Sequence, residues 1–216
     1  MTRVFEVDPR RPDQSLIALE AATGALAEGR LVVLPTETVY GIACRPDDPS
    51  ATARVFAAKR RPVGLNLPVL VPSTEMGWEV AVPDERAARL ARAFWPGPLT
   101  MVLPRTGRSR EWELGRERDS VAVRVPDLGL ALALLAMAGP LATTSANFSG
   151  RPPISDPDGL ATTFGNSVEV LLVVASSIDP PRERPSTVVD LTGDTMRILR
   201  EGSVGSDRVQ AVIGTS

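Results

Sequence analysis

The chain has 216 residues, 43% hydrophobic and 23% charged, with a net charge of -2. That balance belongs to a globular protein with a core that needs no staples, and it excludes a polycation built to coat nucleic acid. The single cysteine, Cys44, excludes an internal disulfide and a cysteine zinc cluster, and the absence of histidine excludes Ser-His-Asp and Cys-His catalysis and every histidine-ligated metal. Chemistry must rest on carboxylates, hydroxyls, lysine, arginine, backbone amides or a metal carried in by a substrate.

The N-terminus, MTRVFEVDPRRPD, is polar and lacks the apolar core of a secretory signal. Residues 14–28 read as an amphipathic helix, capped by Asp13 or Ser15, with Leu16, Leu19 and Leu26 near one face and Gly29 at its end. LVVLP (31–35) is a buried strand stopped by proline, 51–58 a second helix and LPVLV (67–71) a second strand. DERAARLARAF (84–94) opens with acids and reads as a third helix, followed by strands at 99–103 and 121–125. The segment 104–119, polar and charged, reads as an exposed loop. LGLALALLAMA (128–138) predicts a helix buried nearly all round, too short for the roughly 20 residues of a membrane span, so no membrane contact and a cytoplasmic location are expected. Strands follow at 140–144, 168–174, 186–191 and 196–200, with a proline-rich loop at 176–185. The last dozen residues are weakly patterned and are expected to fray. Alternating strands and helices, then crowded strands, predict a single α/β or α+β domain around a mixed sheet.

Six segments can carry chemistry. PTETVYG (35–41) puts Thr36, Glu37 and Thr38 at the carboxyl end of a strand, where open α/β sheets place ligands; a turn with threonines bonding the local backbone is the alternative. KRRP (59–62) ends a helix. Its cations either complement the helix terminus or clamp phosphate, Lys59 as a point charge and Arg61 as a bidentate fork. Arg124 stands inside the apolar run VAVRV, on the face opposite Val123 and Val125. A water-facing edge or a ligand anion would each explain it. TTSANFSG (143–150) packs hydroxyls, an amide and a glycine behind a strand, a set able to donate to phosphate oxygens. Ser186 and Arg200 each sit beside a β run. Cys44 reads as a small buried residue, and FWPGPL (94–99) as a packing corner.

Together the segments LPTETVYGIAC (34–44), AKRRP (58–62), LPVLV (67–71), FWPGPLTMVL (94–103), SVAVRVPD (120–127), PLATTSANFSGRPP (140–153), STVVDLTG (186–193) and ILREGSV (198–204) resemble the YrdC-like family of threonylcarbamoyl-AMP synthases in order and spacing. The resemblance covers about residues 15–204 and the short form of the family. It implies a twisted mixed α/β fold, with helices flanking the sheet, around a large concave, positively lined cavity. It implies condensation of L-threonine, bicarbonate or CO2, and ATP, with Mg2+ arriving on the ATP, and a downstream partner that transfers the product to tRNA. By motif position, Lys59 and Arg61 would act on the ATP phosphates as the catalytic pair, with Ser120, Ser145 and Arg200 also on the nucleotide. Thr36, Thr38, Arg124, Thr143 and Ser186 would hold threonine. No dedicated metal ligands are implied.

Three departures stand out against the family pattern. NLPVLVP lacks the histidine that often closes this stretch, which leaves Asn66 without a secure role. Arg60 stands where glycine is common, and Pro153 where some relatives carry a nucleotide-contacting serine. Two other readings remain open at this level: a non-enzymatic RNA-binding module with weak affinity, and an enzyme that makes a carbamoyl-adenylate from carbamoyl phosphate.

Overall fold

Short apolar runs punctuated by proline, glycine and charge give short strands. The computed structural model, which describes residues 2–60, 64–178 and 184–214, gathers ten of them into one mixed sheet. In chain order the strands are β1 (Arg3–Val7), β2 (Val32–Leu34), β3 (Gly41–Cys44), β4 (Val69–Leu70), β5 (Leu99–Pro104), β6 (Ser120–Arg124), β7 (Leu141–Ser145), β8 (Val170–Val174), β9 (Thr187–Asp190) and β10 (Arg197–Arg200). The helices are α1 (Leu16–Ala27), α2 (Pro49–Lys59), α3 (Thr74–Val80), α4 (Glu85–Phe94), α5 (Gly107–Arg110), α6 (Gly129–Ala138), α7 (Pro157–Phe164) and α8 (Ser206–Gly214). Across the sheet the order is β1-β8-β2-β3-β7-β4-β6-β5-β9-β10. β1 and β2 run parallel to β8, β4 to β6 and β5 to β9, while the other neighbours are antiparallel.

Strand alternation sends successive side chains to opposite faces. On one face Ile42, Cys44, Val69, Met101, Val123 and Val189 join a core with residues of α2, α3, α4, α7 and α8. On the other, Val32, Leu34, Ala43, Leu141, Val170 and Leu172 pack with α1 and α6. That second cover reaches only part of the sheet. Thr100, Ala122, Arg124 and Val188 point the same way from β5, β6 and β9, belong to neither core, and line a cavity.

Several expectations need correction. Residues Pro12–Ser15 form a 3-10 turn ahead of α1, and neither Asp13 nor Ser15 supplies a side-chain cap. Leu16 is 58% exposed; the buried face of α1 is Leu19 and Leu26 with Ala18, Ala22 and Ala25. Gly29 does end this helix region, at φ +70, where an added Cβ would also strike the Asp48 carboxylate. α6 buries a stripe, Leu130, Ala131, Leu134 and Leu135, and leaves Met137 46% exposed.

The segment 104–119 is exposed at most positions, as expected, but it holds the short helix α5 and is anchored to the core. Arg105, Ser109, Trp112 and Leu114 are buried, and the Arg105 guanidinium draws three carbonyls of this stretch, and that of the adjoining Ser120, around itself. Six elements escaped the pattern: β1, β3, α3, α5, α7 and α8. The expected fraying end holds α8, whose Val209 is buried and whose Arg208 lies 5.6 Å from the Phe94 ring centre. Of the loop 176–185, residues 179–183 lie outside the described residues. No helix among the described residues is long and apolar enough to cross a membrane.

Candidate functional site

The cavity has a volume of about 160 Å³ and draws on strands β3 to β7, β9 and β10. Its polar wall is made of hydroxyls from Thr36, Thr38, Thr100, Thr143, Thr144, Ser145 and Ser186, plus the guanidinium groups of Arg124 and Arg200. Pro68, Leu70, Ala122 and Val188 supply apolar surface. β7 and β3 explain why the space stays open. Gly41 is paired with Ser145, and a Cβ on Gly41 would come 2.6 Å from the Thr143 methyl group.

The 35–41 segment combines both of its sequence readings. The Thr36 hydroxyl donates to the Val39 carbonyl at 2.6 Å and accepts from the amides of Thr38 and Val39, a local hydroxyl turn. Thr38 instead faces the cavity and accepts from Arg124 Nη1 at 3.1 Å. Arg124 Nε donates to the Gly97 carbonyl at 3.1 Å, so the FWPGPL corner positions this arginine as well as packing Trp95. The third arm meets Glu37: Oε1 lies 2.7 Å from Nη2. This ion pair is not aligned as a hydrogen bond, since Nη2 and both Glu37 oxygens are buried and make none among the described residues. Neither a water-facing edge nor a ligand is thus needed to explain Arg124 in an apolar strand, because Glu37 partly offsets its charge.

Ser186 and Arg200 form the opposite wall. Arg200 donates from Nε and Nη2 to the Ser186 carbonyl at 3.1 and 2.9 Å, and from Nη2 to the Ser186 hydroxyl at 3.1 Å. Thr100 Oγ1 lies 2.8 Å from the same hydroxyl. Gly202 lets this wall close, since a Cβ there would sit 2.3 Å from the Pro185 carbonyl oxygen. Burial, and then the charge of Arg124, lower the Arg200 pKa from its ordinary value, so the two guanidiniums feel one another across the cavity. Among the described residues, the cationic wall consists of these two groups, one of them already opposed by Glu37.

Lys59 ends α2 and is the only lysine in the sequence; every other basic residue is arginine. It is 1% exposed and does not line the cavity. Its ammonium donates to the Ser145 carbonyl, to the Asn147 carbonyl at 2.7 Å and to Asn147 Oδ1 at 3.3 Å. Asn147 in turn accepts from the Ser145 hydroxyl and donates from Nδ2 to the Phe148 and Arg151 carbonyls. The adjoining Arg60 takes a left-handed backbone, φ 50 and ψ 41, which explains why glycine suits this position, and its guanidinium lies 5.0 Å from the Phe148 ring centre.

The structure brings Thr36, Thr38, Arg124, Thr143, Ser145, Ser186 and Arg200 around one cavity. Lys59 stands behind it, touching Ser145. Ser120 shares a face of β6 with Ala122 and Arg124 but does not line the cavity. Arg61 lies outside the described residues. Asn66 is committed elsewhere: its amide bonds the Glu117 carbonyl and amide at 2.7 and 3.0 Å. Pro153 does not line the cavity. Cys44 is fully buried, and burial, then Asp48 and Asp47, push its thiol up to about 12, which removes it as a nucleophile near neutral pH. Reading the sequence missed Thr100, and it placed Glu37 and the Asn147 amide in candidate segments without the partners the structure gives them. Thr100 carried a signal, a hydroxyl between Leu99 and Met101 in an apolar strand.

Known proteins similar to this chain cover nearly all of it. A Mycobacterium tuberculosis relative is 40% identical over 99% of this chain and 96% of its own length. An Escherichia coli threonylcarbamoyl-AMP synthase is 37% identical over 83% of this chain and 95% of its own. The crystal structure of Pyrococcus abyssi Sua5 complexed with L-threonine superposes with a TM-score of 0.81 at 32% identity, covering 99% of this chain, which spans 60% of that longer one. The Sua5, YciO and YrdC family, described as "Telomere recombination", matches residues 24–202. The chain belongs to this family.

Proposed function

We propose that the protein condenses L-threonine, bicarbonate or CO2, and ATP into threonylcarbamoyl-AMP and pyrophosphate, for later transfer to adenosine in tRNA by a downstream enzyme. The observation that carries this reading is the single cavity in which Thr38, Arg124, Thr143, Ser145, Ser186 and Arg200 meet from distant parts of the chain. The E. coli relative named threonylcarbamoyl-AMP synthase and the threonine complex of P. abyssi Sua5 support it.

The chemistry fits a chain without histidine. The neutral threonine amine forms a bond to the carbon of CO2 and releases a proton to solvent, or to that of bicarbonate as a C–O bond breaks and water leaves, and either route gives a carbamate. A carbamate oxygen then forms a bond to the α-phosphorus as the bond to pyrophosphate breaks. Such a step needs orientation and neutralised charge more than a proton relay. Arg124 pairs with the amino-acid carboxylate, while the Thr38, Thr143 and Ser186 hydroxyls surround the rest of the small ligand. Arg200 and Ser145 take the nucleotide, and Lys59, by exchanging a carbonyl oxygen for a phosphate oxygen, acts on its phosphates together with Arg61. Ser120 lies about 13 Å along β6 from Arg124, within the length of a nucleotide that reaches out of the cavity. Mg2+ enters on the triphosphate. Phosphate oxygens and water hold most of its shell.

The test mixes the protein with L-threonine, bicarbonate, ATP and Mg2+ and follows the labile adenylate by mass spectrometry alongside pyrophosphate release. Both products are expected, and both should disappear when threonine is left out. Adenylate formation from carbamoyl phosphate, but not from threonine and bicarbonate, would replace this reading with a carbamoyl-transfer one. RNA retention without ATP consumption would replace it with a binding module.

A further inference from the structure

Glu37 is the only acidic side chain ion-paired to a residue of the cavity wall, among the described residues. A buried carboxylate is unfavourable unless hydrogen bonds replace its water, and neither Glu37 oxygen has one. Its neighbour shows the same vacancy of bonding. Arg124 commits Nε to Gly97 and Nη1 to Thr38, while Nη2 faces Glu37 at 2.7 Å without an aligned bond. A pair built for stability would be aligned; this one retains charge and leaves its bonding capacity for something else.

The missing partner can be read from the charge pattern. A guanidinium touching a carboxylate is the reverse of an α-amino acid, which carries a carboxylate and an ammonium on one carbon. A ligand carboxylate that docks on Nη2 takes the place of Glu37 and gains the aligned, charge-assisted hydrogen bond Glu37 lacks. The displaced Glu37 carboxylate then lies beside the ligand's ammonium and accepts from it. We propose that Glu37 is a specificity residue: it holds Arg124 as a stand-in for the ligand carboxylate, then reads the amine, so that the cavity selects a zwitterion over a plain hydroxy acid. This inference rests on the amino-acid reading of the same cavity and concerns the binding step alone.

The test compares calorimetric binding of L-threonine with that of 2,3-dihydroxybutanoate of matching stereochemistry, which has a hydroxyl where threonine has its ammonium. The unaltered protein should bind threonine at least about tenfold more tightly, the worth of one charge-assisted hydrogen bond. In Glu37→Gln the threonine affinity should fall by about the same factor while the hydroxy acid holds or gains, so the ratio collapses toward one. Glu37→Asp, with its carboxylate a methylene short, reads the same ratio should the glutamine variant fail to fold, and it should fall between the two. A ratio unchanged in a folded Glu37 variant, or an unaltered protein that binds both ligands equally, overturns the role of Glu37 alone. An unaltered protein that binds no threonine overturns the proposed function as well.

Discussion

Two buried cations hold two loops in this molecule, and they do so for different ends. Arg105 is 2% exposed and Lys59 1%, and both direct their charge at backbone carbonyls. Arg105 binds the carbonyls of Ser120, Ser109, Trp112 and Glu117 at 2.8 to 3.1 Å, ties the 104–119 segment into the core, and lies outside the cavity. Lys59 binds the carbonyls of Ser145 and Asn147 immediately behind the cavity wall. A guanidinium is a rigid fork whose donors must all be placed together, whereas an ammonium is a compact point charge that can exchange one oxygen for another. The chain uses arginine for every other basic position and keeps lysine here. We read the contrast as a fold clamp at Arg105 and a site clamp at Lys59.

The largest expected effect breaks the fold clamp. Arg105→Ala leaves four carbonyls to find new partners in a space little water reaches, and should cost about 3 kcal/mol or more in urea unfolding. Adenylate formation per folded molecule should stay near that of the unaltered protein at low temperature. A loss below 1 kcal/mol would mean that the buried Trp112 and Leu114, and not Arg105, hold the segment.

Lys59 should show the opposite split. Lys59→Ala should lower adenylate formation by about 100-fold or more, as expected for loss of a cation beside developing phosphate charge. Its unfolding cost should stay within about 1–3 kcal/mol, because fewer acceptors are stranded. Lys59→Arg should not restore activity, since a planar fork does not fit the cluster of oxygens that the ammonium occupies. If Lys59→Ala keeps its activity and loses stability as Arg105→Ala does, the two clamps are equivalent and the distinction fails.

Parts of this contrast were legible in the sequence. A lone arginine in VAVRV, hydroxyls directly after strand ends, and basic residues closing a helix all follow local rules, and they lead to Arg124, Ser145 and Lys59. What those rules miss is non-local. Nothing in PTETVYG says that Glu37 meets an arginine 87 positions later, and the charged 104–119 stretch looks solvated until Arg105 collects its carbonyls. The strand GIAC escaped notice because four residues carry little period, and α8 because its apolar stripe holds a single fully buried side chain, Val209. Helix α2 shows the reverse: Asp48, Pro49 and a first turn bonded to the Asp48 carboxylate mark its start in ways that composition alone does not emphasise.

The smallest expected effect sharpens the question of what holds the Ser145 loop. Arg60 adjoins Lys59, takes a left-handed backbone and stacks on Phe148, whose carbonyl receives the Asn147 amide. Arg60→Gly would relieve about 1–2 kcal/mol of left-handed strain. It would also give the unfolded chain about 0.5–1 kcal/mol of extra freedom and lose about 0.5–1 kcal/mol of cation–π attraction. These terms nearly cancel, so the urea midpoint should move by less than the equivalent of about 0.5 kcal/mol. The informative measurement is therefore activity. If Lys59 alone orders the loop, Arg60→Gly should change adenylate formation by less than about twofold, since it removes only a weak, exposed contact. A tenfold loss at unchanged stability would show that the stack on Phe148 shares the task, and the site clamp would then be a pair of adjacent cations instead of one.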